Sequence, residues 1–153
     1  MTVDDKLKAL GIQLPPLATP AAAYVPFVRQ DRLVFLSGHI ARKEGKPWVG
    51  QLGNNMTTGE GRSAARAVAI DLLGTLQAAV GNLESVRIVK LTSMVNSTAD
   101  FTEHHLVTNG ASELFAEVFG ARGAHARSAF GAPQLPAGTC VEIELLAEIM
   151  QVA

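Results

Sequence analysis

Alternation of apolar and charged positions is clearest near the C-terminal end, in VEIEL. There Val141, Ile143 and Leu145 share one face of a strand while Glu142 and Glu144 share the other. The two carboxylates then stand about 6 to 7 Å apart. Upstream lies a second apolar arm that carries Arg127, and Pro136 with Gly138 supply turn residues between the arms. The stretch from His125 to Ile149 is therefore expected to form a two-stranded hairpin, with the Arg127 guanidinium on the arm next to Glu142 and Glu144.

Toward the N-terminus, residues 3–10 read as a short helix with Asp4 as its cap and Gly11 as its stop. Prolines at 15, 16 and 20 prevent its continuation, so residues 11–23 are expected to lie extended on the surface, with 1–20 as an N-terminal arm on a single domain spanning 1–153. Tyr24–Arg29 and Arg32–Gly38 predict a hairpin whose second strand is apolar on both faces. From His39 to Asn55 the chain has glycines, a proline and no period, which predicts a long loop. Trp48 within it either pins the loop to the body or serves function.

Thr57 with Glu60 forms a capping pattern that opens a helix running to about Gly81, with Ala65, Val68, Leu72, Leu76 and Ala79 as its apolar stripe. Val86–Asn96 follows as a strand, rich in β-branched residues. A second capping pattern, Asp100 with Glu103, opens a helix to about Phe119 that buries Leu106, Leu114, Phe115, Val118 and Phe119. The order is strand, strand, helix, strand, helix, strand, strand. Two long helices cover only one face of such a sheet, and strands apolar on both sides predict a second subunit on the other.

Composition narrows the function classes. A chain of 153 residues, 48% hydrophobic and 18% charged, is long enough for one core without disulfides. Its net charge of −1, from 13 basic and 14 acidic side chains, gives no broad field for phosphates, so nucleic acid is not expected as a partner. Asp4, Asp5, Lys6 and Lys8 interrupt the place of a signal peptide, and no uninterrupted apolar run approaches the roughly 20 residues of a membrane span. The expectation is a cytoplasmic protein with no membrane partner.

Among the chemistry-bearing residues, His39, His104, His105 and His125 show no zinc-ligand spacing, so no metal is expected. Cys140, the single cysteine, reads as a small buried hydrophobe. Arg127 with Glu142 and Glu144 has two readings. One is a surface ion pair on a charged face. The other is a site in which Arg127 holds a small acid by its carboxylate and Glu142 exchanges a proton nearby. A glutamate half-buried beside Glu144 would have a raised pKa suited to that exchange. Ser37-Gly38 ends a strand, either as a plain turn or as hydrogen-bonding groups for a ligand.

The string Ser37-Gly38-His39-Ile40, the segment NGASELF from Asn109 to Phe115, and above all ARSAFGAPQLPAGTCVEIELLA from 126 to 147 resemble the YjgF/RidA family of reactive intermediate deaminases. The resemblance covers roughly residues 20 to 150. It implies a chorismate-mutase-like α+β fold, with three subunits forming a barrel-centred homotrimer and clefts at the subunit boundaries. It also implies hydrolysis of 2-imino or 2-enamino acids to 2-oxo acids and ammonia without a cofactor. Arg127 would grip the substrate carboxylate and Glu142 would assist proton transfer, with Tyr24, Ser37, Gly38 and Asn109 lining the pocket. Ala129 stands at a lining position where many members carry cysteine. The loop from His39 to Asn55 is longer than the archetype's. A competing expectation is non-catalytic binding of small 2-oxo acids or related carboxylates at the same interface pocket.

Overall fold

The computed structural model describes residues 1–20 and 22–151. In chain order the elements are α1 (Val3–Ala9), β1 (Phe27–Gln30), β2 (Leu33–Ile40), β3 (Arg42–Lys43), β4 (Lys46–Pro47), α2 (Thr58–Val80), β5 (Val86–Asn96), α3 (His104–Phe119), β6 (Ala126–Ala132) and β7 (Val141–Ile149). Five strands make one mixed sheet in the order β1-β2-β7-β5-β6, and β3 with β4 forms a separate small hairpin. α2 and α3 pack together on one face of the large sheet. This is the expected α+β architecture.

The predicted C-terminal hairpin does not form. β6 and β7 are separated by β5, which pairs antiparallel with β7 and parallel with β6. The reason lies in α3, which links β5 to β6 as a crossover connection, and a crossover delivers its second strand parallel to the first. The segment Pro133–Cys140 then carries the chain across β5 to the middle of the sheet. There Val141, Ile143, Leu145 and Ala147 are all buried under the helices. Alternation correctly gave β7 its faces; the neighbour was wrong.

The core joins Leu72, Leu73 and Leu76 of α2 to Leu114 and Phe115 of α3 and to Ile88, Leu91 and Ile143 of the sheet, all fully buried. The predicted stripe on α2 is buried throughout. On α3 the phase differs slightly: Val107 and Ala111 are buried, and Leu106 is only partly so. α2 is the one described helix long and apolar enough to cross a bilayer, and half of its most apolar 18-residue window is buried inside this fold.

Capping differs from expectation at two of three helices. α1 is capped by Thr2 in a reciprocal box with Asp5, not by Asp4. α2 begins at Thr57 as predicted, its hydroxyl accepting from the Glu60 N–H. α3 starts after Glu103 with no side-chain cap, because Asp100 instead accepts from the Thr98 hydroxyl at 2.6 Å. The predicted loop from His39 to Asn55 contains the end of β2 and the β3–β4 hairpin. Trp48 pins it: its N–H donates to Ala41, its carbonyl accepts from Cys140, and its ring packs on the core.

The opposite sheet face is open. The register places Val28, Phe35 and Leu146 in one row and Glu142, Met94 and Phe130 in another. Phe35 and Phe130 are 46% and 47% exposed, large apolar groups left uncovered by the described residues.

After α1, whose Val3 and Leu7 are buried, the proline arm runs over α2. Gly74 allows this approach: a Cβ there would lie 2.5 Å from the Pro15 carbonyl oxygen. Gly74→Ala is expected to lift the arm, losing up to about 2 kcal/mol net, since overpacking outweighs the gain in helix propensity. Urea denaturation measures that loss, and limited proteolysis should cut within residues 12–20 of the variant faster than in the parent.

Candidate active site

β1 stops pairing where Phe27 meets Leu36, so β2 beyond that point has a strand on one side only. At the same place β2 bulges. Leu36 pairs with Leu145 and His39 with Ile143, leaving Ser37 and Gly38 opposite Glu144 alone. Such a bulge re-aims the side chains that follow it. A cavity of about 760 Å³ wraps around this exposed strand edge. It reaches from Glu142 and Glu144 on the open face to Asp71 and Thr75 on α2, and the proline arm walls it.

Glu142 lies directly against the bulge. A Cβ on Gly38 would stand 2.4 Å from a Glu142 carboxylate oxygen, so only glycine admits the acid at this position. Burial raises the Glu142 pKa, and the like charge of Glu144 raises it further. Ser37 is fixed by its hydroxyl, which donates to the Val25 carbonyl at 2.6 Å, and by its N–H, which donates to Pro26 at 2.9 Å. Tyr24 lines the same cavity and is 52% exposed.

His39 turns toward α2. Its Nδ1 is 2.7 Å from the Ser37 carbonyl, which can only accept, so Nδ1 carries the proton. Nε2 then accepts from the Thr75 hydroxyl, also at 2.7 Å. Burial holds the ring below the ordinary histidine range, although the bond to Ser37 opposes this, and Arg42 reinforces the lowering. Asp71 is half-buried one turn before Thr75, and burial raises its pKa while Arg42 pulls it down.

Arg127 sits elsewhere. It pairs with Leu91 in register and therefore points to the helix face, opposite the face that carries Glu142 and Glu144. Its guanidinium donates to the Ser112 hydroxyl at 3.1 Å and to the His105 carbonyl at 3.0 Å. Ser112 in turn bonds His125 Nε2 at 2.9 Å, and His125 Nδ1 donates to the Gly123 carbonyl at 2.6 Å. Asn109 lies one turn from His105 on α3, and Ala129 lies two residues from Arg127 on the same face of β6. Arg127 lines neither the large cavity nor the smaller one beside His125.

The family described as "YjgF/chorismate_mutase-like, putative endoribonuclease" matches residues 4–149. The chain belongs to the YjgF/RidA family. Protein TCP17 of Trypanosoma cruzi is 45% identical over 150 residues, covering 96% of this chain and 94% of that protein. The crystal structure of Atu1372 from Agrobacterium tumefaciens is 38% identical, with a TM-score of 0.89 over 97% of this chain and 93% of that one. A Shewanella oneidensis structure described as a "putative endoribonuclease" is 31% identical, with a TM-score of 0.92 over 97% of this chain and 99% of that one.

In this YjgF/RidA chain the residues singled out from the sequence fall into two groups. Tyr24, Ser37, Gly38 and Glu142 share the large cavity. Arg127 and Ala129 stand on the helix face of β6 and Asn109 on α3, so the fork and the acid lie on opposite sides of the sheet within one chain. Sequence reasoning missed the His39, Arg42, Asp71 and Thr75 end of the cavity. No spacing in the chain marks it: Asp71 and Thr75 lie four apart on α2, but so do Arg62 and Arg66 on its solvated side. Sequence reasoning also missed the Ser112–His125 support of Arg127. Cys140 is fully buried, with its thiol pushed up to about 11, as a packing residue should be.

The raised pKa of Asp71 gives a stability test. The folded state holds that proton to higher pH than the unfolded state, so the destabilisation is absent at low pH and grows as pH rises through the raised value. Asp71→Asn is expected to raise Tm by a few degrees near neutral pH and to leave it unchanged at about pH 3. Thermal melts across that range measure the difference.

Proposed function

We propose that the protein hydrolyses reactive 2-imino and 2-enamino acids to 2-oxo acids and ammonia without a cofactor, as a homotrimer whose sites join the Glu142 cavity of one subunit to the Arg127 fork of another. The observation that carries this reading is the Glu142 carboxyl: raised in pKa, pressed against Gly38, and open to a cavity with Tyr24 and Ser37 around it. A carboxyl so raised keeps its proton to higher pH than a free glutamate, which suits it to give a proton and take it back. The apolar open sheet face, with Val28, Phe35 and Phe130, supplies the surface on which copies would meet.

In this mechanism Arg127, held by Ser112 and the His105 carbonyl, grips the C1 carboxylate through its remaining N–H groups. Glu142 in its acid form protonates the imine nitrogen. The carboxylate so formed takes a proton from water as the water oxygen bonds to C2. That proton passes to the nitrogen of the tetrahedral carbinolamine, the C–N bond breaks to release ammonia, and the C2 hydroxyl gives its proton to the Glu142 carboxylate as the carbonyl forms, which restores the acid. RNA cleavage, suggested by the description of a relative, is less well supported. The cavity holds Glu142, Glu144 and Asp71 against Arg42, a balance that repels phosphodiesters.

An assay in which an amino acid oxidase generates the imine in situ tests this directly. Glu142→Gln is expected to lose about 100-fold or more in kcat/KM, the range for a removed general acid, and Arg127→Ala a comparable amount. Parent-like rates in either variant would contradict the assigned role. Acceleration absent in the parent, with 2-oxobutyrate still bound, would favour the binding reading.

Because the acid form of Glu142 starts the reaction, kcat/KM should fall as pH rises through its raised pKa. Glu144→Gln removes the like charge and should move that fall to lower pH. Phe35→Asp is expected to give monomers by sedimentation and to abolish turnover with them.

A further inference from the structure

The cavity is larger than its Glu142 end requires. Pockets for drug-sized ligands span about 300 to 1,000 Å³, and this one, at about 760 Å³, continues past Gly38 to Arg42, Asp71 and Thr75. Its far end holds two charged groups of opposite sign. Asp71, half-buried in the middle of α2, makes no hydrogen bond or ion pair among the described residues, and neither does the Arg42 side chain. Each feels the other's field, yet they form no direct pair. His39 and Thr75 beside them satisfy one another, which leaves Arg42 as a free donor and Asp71 as a free acceptor.

An anion placed between them gains from Arg42 and loses to Asp71; a cation does the reverse. An apolar tail offers nothing to either group and takes water from half-buried Asp71, while Arg42 is exposed and keeps its hydration. A neutral group offering an acceptor and a donor side by side satisfies both. We infer that this end of the cavity is a specificity subsite for a carboxamide tail, whose carbonyl accepts from Arg42 and whose amide N–H donates to Asp71. It rests on the proposed imine chemistry for the identity of the head group: the ligand is then a 2-imino acid with its C2 over Glu142.

The spacing agrees. Ile40 lies opposite Glu142, and Arg42 follows two residues later, about 7 Å along an extended chain. Two methylenes and an amide span about 5 Å at ordinary bond lengths, and a hydrogen bond adds about 3 Å. Pro15, Pro16, Ala18 and Pro136 line the cavity and give the methylenes an apolar wall.

Calorimetric titration with stable 2-hydroxy acids tests the subsite without needing turnover. Four compounds would share one head and differ only in the tail: carboxamide, carboxylate, ammonium or methyl. The carboxamide is expected to bind at least about tenfold more tightly than the other three, as one or two added charge-assisted hydrogen bonds imply. Arg42→Gln and Asp71→Ala, each checked to fold cooperatively and to melt no lower than the parent, should erase that preference while leaving the methyl compound within about twofold. Equal or weaker binding of the carboxamide, no binding of it at all, or equal losses for all four tails in the variants would overturn the inference. Imine assays run in parallel separate the two readings. A tail preference without turnover removes the proposed reaction and keeps the subsite; turnover without a preference removes the subsite alone.

Discussion

The contact between Glu142 and Gly38 is the constraint from which the rest of the site follows. A carboxyl occupies the space that a Cβ on Gly38 would need, at a bulge where two residues of β2 face one of β7. That bulge exists where β1 ends, so the strand edge is open to a cavity rather than covered by a neighbour. The same two-for-one count turns His39 back to α2, where it bonds Thr75. One irregularity in one strand therefore sets the acid, opens the pocket and builds its far wall.

The fold places the two charged candidates of the proposed site on opposite faces of one sheet. β7 sends Glu142 and Glu144 to the open face, while β6 sends Arg127 to the helix face and fixes it with Ser112 and the His105 carbonyl. In the proposed reaction, closing the two halves into one site needs a second chain. The exposed Phe35 and Phe130 on the open face supply a physical reason for one to be present.

Much of the architecture was legible in the sequence because it rests on periodicity. The α2 stripe, the β5 run and the faces of β7 are all set by which side chains leave water, and each formed as expected. Strand partners were less legible. Alternation names a strand's faces and is silent about its neighbours, so Pro136 and Gly138 suggested a hairpin where the chain instead crosses β5. Asp100 likewise had the spacing of a cap but found a closer partner in Thr98. The Glu142 half of the site could be named from VEIEL and Ser37-Gly38. The Asp71 and Arg42 end could not, because it joins a helix to a strand through a cavity that no spacing in the chain encodes.

Mixing two inactive variants measures most directly whether two chains share one site. Arg127→Ala and Glu142→Gln subunits, unfolded together and refolded at equal amounts, would combine at random in closed rings. About one quarter of the sites would then pair an intact Arg127 from one chain with an intact Glu142 from its neighbour. The account predicts imine hydrolysis recovering toward that fraction of the parent rate, and a mixture as inactive as its components would contradict it.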